Sequence, residues 1–151
     1  MANTQAMCTS FKKELLTGGH NFGAGTLRAS ASPDTFMASL RLATDNLGPS
    51  TTVYSSTGEV TGTGYSAGGM VISGWANPST SGAAAFTTPT QALTWTGITI
   101  TNPFDALLIY NQSQGGKAVS IHTFGAQTVV AGNFTITMPV NAAGTALLQL
   151  T

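Results

Sequence analysis

The chain has 151 residues, of which 7% are charged, 8% aromatic and 42% hydrophobic, and its formal net charge is zero. That length suits one domain with a substantial core, since a chain this size buries roughly two-thirds of the surface it exposes when unfolded. Soluble domains carry about 25% charged residues, so the shortage of charge, made up by Gly, Ala, Ser and Thr, is the main anomaly of the composition.

Several classes fall away on these grounds. Neutrality removes the sequence-independent attraction behind most nucleic-acid binding, and no nucleic-acid partner is expected. No apolar run approaches the roughly 18–20 residues that span a bilayer, so no membrane partner is expected either. The start, Met1 to Gln5, lacks the basic and apolar stretches of a signal peptide. Cys8 is the one cysteine, which leaves no internal disulfide framework. The expectation is synthesis in the cytoplasm. A surface with few charges is poorly protected against association, and it makes most sense covered by another protein.

Residues 1–6 read as a flexible polar arm, and residues 7–151 as a single β-rich domain. From Cys8 to Thr17 the period is helical: Cys8, Phe11 and Leu15 share one stripe, and Lys12, Lys13 and Glu14 fall on the wet side. Thr9 or Ser10 is the expected cap, and Gly18-Gly19 the stop. Residues 23–33 are rich in small side chains and read as an arm or loop. The period then changes to two, with Phe36, Ala38, Leu40 and Leu42 inward and Arg41 outward on a half-buried strand. Asp45 to Pro49 breaks it, and Ser50 to Tyr54 reads as one helical turn. Residues 58–69 form a glycine-rich connection. It fails as a phosphate loop, because no Gly-Lys-Ser/Thr ends it and a strand follows.

Met70 to Trp75 alternates again. Asn77 to Gly82 is a turn by composition, Ala83 to Thr88 a weak strand, and Ala92 to Thr101 a strongly alternating one. Asn102-Pro103 reads as a turn before Ala106 to Asn111, the most apolar run and a central strand buried on both faces. Gln114 to Lys117 is a hairpin signal. Strands follow at 118–124, 129–130 and 134–138, divided by turns at 125–127 and 132–133, and a last strand covers 146–150. About eight short strands and no βαβ alternation predict a mostly-β chain, an antiparallel β-sandwich or jelly-roll-like fold with one short N-terminal helix.

Chemistry is sparse. The acids Glu14, Asp34, Asp45, Glu59 and Asp105 are scattered, with no spacing that pairs two of them on one helix or strand. His20 and His122 lack metal-ligand spacing, and each reads as structural: His20 beside a helix end, His122 on an alternating strand. Cys8 with His20 as base is weaker than Cys8 as a small buried hydrophobe. Trp75, Trp95 and Phe104 suggest a sugar-stacking platform, although aromatics on alternating strands are more often core. Neither an enzyme nor a bound cofactor is expected. The loop Gly62-Thr63-Gly64-Tyr65 is expected to present its aromatic at a contact. The expected contact residues are Gly62, Thr63, Gly64 and Tyr65, with Arg28 and Lys12.

Three stretches carry a resemblance. Cys8-Thr9-Ser10-Phe11-Lys12-Lys13-Glu14-Leu15-Leu16 with Gly19-His20-Asn21-Phe22 is the first, and Ser50-Thr51-Thr52-Val53-Tyr54-Ser55 through Glu59-Val60 to Gly69 is the second. Ala106 to Asn111, His122-Thr123-Phe124-Gly125 and Phe134-Thr135-Ile136 continue it in order. Together they resemble small virion proteins of tailed bacteriophages over nearly the whole chain. The resemblance implies a structural role with no catalytic residues. With the composition, it gives the expectation of a capsid cement (decoration) protein on the virion surface. Its partner would be the major capsid protein, and it would self-associate as a dimer or trimer. A tail, collar or head-to-tail adaptor component is the alternative within the class, and a carbohydrate-binding module the alternative outside it.

Overall fold

The computed structural model describes residues 2–16, 18–22 and 33–151. In chain order the elements are β1 (Ala6–Met7), α1 (Thr9–Leu16), β2 (Phe36–Leu42), β3 (Met70–Ile72), β4 (Ser79–Ser81), β5 (Ala84–Thr87), β6 (Leu93–Asn111), β7 (Lys117–Ile136) and β8 (Leu148–Leu150), with one 3₁₀ turn at Gln112–Gln114. They form a five-stranded sheet in the order β1-β7-β6-β2-β3 and a three-stranded sheet in the order β4-β5-β8. All pairings are antiparallel. The chain is mostly β with one short helix, as its alternation implies.

The helix starts at Thr9, directly after Cys8, and stops at the paired glycines. Gly18 takes φ +69°, a conformation costly for any side chain. Its N–H donates to Leu15 O at 3.1 Å, and Gly19 N donates to Glu14 O at 2.8 Å. Those two bonds make a Schellman end.

The largest difference from the sequence reading lies in β6 and β7. The turns expected at 102–103, 125–127 and 132–133 are absent, and the strands they should separate run on as one hairpin of 19- and 20-residue strands. Each turn signal has become a bulge. Thr101, Asn102 and Pro103 together face Thr128, between the pairs Ile100–Val129 and Phe104–Gln127. Pro103 can sit there because a bulged residue owes no ladder N–H, and its carbonyl accepts from Ala43 N at 2.9 Å. Asn133 faces Thr96 and Gly97. Its side-chain oxygen accepts from Gly97 N at 3.0 Å, and Gly97 has φ +61°.

The hairpin closes where the sequence places it. Asn111 caps the 3₁₀ turn, with its side chain accepting from Gln114 N, and Gly115 and Gly116 both have positive φ. The run Ala106 to Ile109 is buried on both faces between β2 and β7.

Four further expectations are corrected. Residues 1–6 are not a loose arm from Asn3 onward. Asn3 Nδ2 donates to Asp105 Oδ1 at 2.7 Å and Leu42 O at 3.1 Å, while Ala6 and Met7 pair with Ile121 and Ser120. Arg41 is 1% exposed rather than outward. β2 lies between β6 and β3 and is covered on both faces, so alternation there does not mark a wet side. Residues 50–54 hold a turn and a bridge between Val53 and Lys117, not a helical turn. The turn expected at 77–82 holds β4, which pairs with β5 through a hairpin at Gly82.

An aromatic cluster fills the space beside β2. Phe22 and Phe36 stack with centroids 4.2 Å apart, and Trp75 meets both edge-on at 5.0 and 5.4 Å. Ile109 is wholly buried. An aspartate there would bury an unpaired charge, a loss of upwards of about 4 kcal/mol. Ile109→Asp is therefore expected to abolish cooperative thermal unfolding followed by circular dichroism. A soluble variant with an unchanged midpoint would remove Ile109 from the centre of the sheet.

Candidate functional site

The glycine-rich stretch 58–69 is part of the sheet system rather than a free loop. Leu42 N donates to Gly58 O at 2.9 Å, Val60 N to Leu40 O at 3.1 Å and Thr99 N to Thr63 O at 2.9 Å. The stretch thus runs beside β2 and then beside the far half of β6. Two glycines are required by this closeness. A Cβ on Gly62 would lie 2.0 Å from Thr99 O, and one on Gly69 would lie 1.9 Å from Ala38 O.

Glu59 is the hub. It is buried, and its carboxylate accepts from Tyr54 Oη at 2.5 Å, Tyr65 Oη at 2.6 Å and Gly68 N at 2.9 Å. Tyr110 Oη donates to Gly68 O at 2.8 Å, and its ring stacks on Tyr54 with centroids 4.4 Å apart. Leu40 N donates to Tyr65 Oη at 3.1 Å. Burial first, then the Glu59 carboxylate, pushes the Tyr54 phenol up to about 12 and the Tyr65 phenol further still. Burial does the same to Tyr110.

Arg41 lies alongside, bridged to Glu59 through the backbone. Its Nε donates to Asp45 Oδ2 at 2.9 Å and its Nη1 to Ser55 O at 2.8 Å, and its Nη2 contacts Thr57 O and Asp45 Oδ2. This network fastens 54–69 to β2.

The expected contact residues are therefore not gathered into one exposed patch. Gly62, Thr63 and Gly64 are exposed but pinned to β6. Tyr65 is half-buried, with its hydroxyl turned inward to Glu59. Lys12 is exposed on α1. Arg28 lies outside the described residues, as does most of the 23–33 stretch. The sugar platform is not formed, because Trp95 is 5% exposed and Phe104 fully buried, while Trp75 is half-buried against Phe22 and Phe36.

The histidines sit apart. His20 Nε2 lies 2.7 Å from Glu14 Oε2, and its Nδ1 lies 3.0 Å from Asn111 Nδ2, which also donates to Asp34 Oδ2 at 2.7 Å. Burial lowers the His20 pKa, with Glu14 opposing. This cluster ties α1 to the hairpin end. Cys8 is buried, and burial raises its thiol to about 11, the opposite of an activated nucleophile. His122 Nε2 lies 2.9 Å from Ser120 Oγ, beside a groove of about 300 Å³. A second, apolar pocket of about 120 Å³ opens between α1 and the small sheet, lined by Phe11, Leu15, Phe22, Phe86 and Leu148 among others. Among the described residues, no three His, Cys, Asp or Glu side chains are placed to hold a metal ion.

One broad surface feature is electrostatic. Residues 60–104 and 118–151 contain no Asp, Glu, Lys or Arg. They include β3, the whole of the small sheet, the far half of β6 and all of β7 but Lys117. Much of this surface is exposed, including Val130 at 72%. Among the described charged residues, Arg41 and Glu59 are spent inside. Sequence reasoning found the shortage of charge but not its segregation, which depends on where the hairpin runs. Comparison with protein-family models, with curated proteins and with solved structures finds no match.

Two outcomes follow from the buried network. Removing Arg41 leaves Asp45 Oδ2 and the carbonyls of Ser55 and Thr57 without this donor, so Arg41→Met is expected to cost about 3 kcal/mol or more in denaturant unfolding. A loss below about 1 kcal/mol, the worth of an exposed pair, would contradict the burial of Arg41. The phenols titrate higher folded than unfolded, so their bonds support the fold fully below about pH 10. That support fades as pH climbs through about 12. Ultraviolet titration at about pH 11 should show far less phenolate in the native chain than in denaturant; coincident curves would break the network.

Proposed function

We propose that the chain is a phage virion structural protein that acts as a capsid cement (decoration) protein. It binds the outside of the shell through the major capsid protein, bridges neighbouring capsomers and stabilises the mature head. The observation that carries this reading is the large uncharged exposed surface along the far hairpin and the small sheet. Exposed surface of that kind suits a partner that covers it, because no charge in it would have to be desolvated or paired, and its hydroxyls and amides can bond across the contact. The resemblance of the chain to small tailed-phage virion proteins supports the same reading.

Such a protein works through buried area in many copies. Modest contacts to two or three shell subunits multiply when they are linked. Binding to the mature shell alone stabilises that state by mass action. Closed symmetry is the rule for soluble oligomers, so a dimer or trimer placed on a shell axis is the natural unit. The inward turn of Tyr65 shifts the proposed contacts away from that aromatic and onto the hairpin and small-sheet faces.

Electron cryomicroscopy of the intact particle tests the reading. Density for this chain repeated at capsomer junctions over the whole shell is the expected result. Density confined to one vertex or the tail would replace it with the adaptor or tail role, and absence from the particle would overturn both.

A further inference from the structure

We propose that His20 is a proton-operated catch: the uncharged ring joins α1 to the hairpin turn through Asn111, and a proton on Nδ1 breaks that junction. The inference is independent of the virion reading.

Donor and acceptor roles fix the state of the ring. Asn111 is fully buried, and both ends of its amide are assigned by groups that can play only one part. Gln114 N can only donate, so the atom 3.2 Å from it is Oδ1. The Asp34 carboxylate accepts, so the atom 2.7 Å from its Oδ2 is Nδ2. That same Nδ2 lies 3.0 Å from His20 Nδ1. Nδ1 is therefore bare and accepts. The ring proton sits on Nε2 and is donated to Glu14 Oε2 at 2.7 Å.

A second proton has one place to go, Nδ1, where it meets the hydrogens of Asn111 Nδ2. The His20 side chain is 0% exposed, with Phe11 edge-on at 4.8 Å and Phe22 and Phe36 stacked at 6.4 Å. The ring is walled from solvent, so the clash is relieved by movement of protein groups. The smallest such movement is rotation of the Asn111 amide about one bond. Turned over, Oδ1 accepts from the charged ring, but it then faces the Asp34 carboxylate, and Nδ2 faces Gln114 N. The bonds to Asp34 and to Gln114 N are lost together. The 3₁₀ turn loses its cap, and the hairpin end loses its tie to the segment ahead of β2.

Among the described residues, the charged groups that face the ring are Glu14 on α1, Asp34 ahead of β2 and Lys117 on β7. Burial is the largest influence and lowers the imidazole below its ordinary value; Glu14 and Asp34 oppose it, and Lys117 reinforces it. Cys8, at the head of α1, keeps its proton, with its thiol raised by burial to about 11. The folded pKa thus lies below the unfolded value of about 6.5. The catch is fully closed above that pH and opens as pH falls through the folded pKa.

Nitrogen-resolved nuclear magnetic resonance of the full chain, from about pH 8 to about pH 4, tests the catch. At the upper end the His20 ring is expected to carry its proton on Nε2 alone. On acidification the ring, the Asn111 side-chain amide and the Gln114 backbone amide should share one midpoint below about 6.5, with Trp95 to Ile98 unmoved. Glu14→Gln keeps an acceptor for Nε2 but removes the nearest anion, so the His20 and Gln114 midpoints should fall together. Asn111→Asp presents an acceptor to Nδ1, so the His20 midpoint should rise by about one unit or more. A proton on Nδ1 at about pH 7, or a His20 midpoint at or above about 6.5, would overturn the catch. So would a His20 midpoint unmoved in a folded Asn111→Asp. A Gln114 transition unmoved by Glu14→Gln would also overturn it and assign the movement to Asp34. If Asn111→Asp does not fold, the wild-type and Glu14→Gln titrations decide.

Discussion

The pairing of Leu93–Asn111 with Lys117–Ile136 is the constraint on which the other elements depend. One tight turn at residues 112–116 brings these two long strands together; β1 and β2 attach to them directly, and β3 through β2. β2 pairs with β6, β1 with β7, and the 58–69 stretch lies against β2 and then the far half of β6. A hairpin of this length would twist beyond the reach of its neighbours if it were regular. The bulges reset its direction at four places between Trp95 and Ala106, and bulging increases local bend and twist. Aromatics cluster along the same span: the buried Phe104 meets the half-buried Phe124 and Phe134 edge-on at 6.0 and 5.0 Å. The bends let one ribbon supply side chains to a continuous core.

Charge is spent inside this molecule to solve a problem of backbone. The stretch 54–69 has too few apolar side chains to hold itself to β2, and six of its residues between Gly58 and Gly69 bury little or nothing. Arg41 and Glu59 replace hydrophobic adhesion with directed bonds to Asp45, Ser55, Tyr54, Tyr65 and Gly68. Glycine then becomes necessary rather than permissive. At Gly62 and Gly69 the backbone approaches Thr99 and Ala38 too closely for any Cβ. Such a network adds little net stability when it forms, because each buried charge first loses its hydration, but it is costly to break from one side.

What the sequence made legible was local. Gly18-Gly19 as a helix stop, the apolar run 106–109 as a central strand and the turn near Gly115-Gly116 all depend on neighbours within a few residues. What stayed hidden depends on partners far along the chain. Asn102-Pro103 and Gly132-Asn133 carry the same composition in a turn as in a bulge, and only the opposing strand decides between them. Arg41 reads as outward because alternation assumes a wet face, and that assumption fails when another segment covers it. Glu59 gave no signal beyond its isolation among glycines. The cue that was available was the tyrosines: Tyr54 and Tyr65 flank it at five and six residues, and a buried carboxylate needs such donors.

The same bulges bear on how an uncharged surface stays usable. Edge strands of lone domains are usually guarded by Lys or Pro, and residues 118–136 contain neither. A straight, neutral ladder of that length would pair with any other strand it met. Here Ala131 takes φ +46°, its N–H is held by Thr99 Oγ1 at 3.0 Å, and residues 124–126 bulge opposite Asp105. The regular row of donors and acceptors that edge-to-edge pairing requires is interrupted along its length. Protection by shape leaves the outward faces of Thr, Val and Asn free of charge. Any surface that covered those faces would have to match the bent ribbon in shape, since they offer neither a regular backbone ladder nor a charge to pair with.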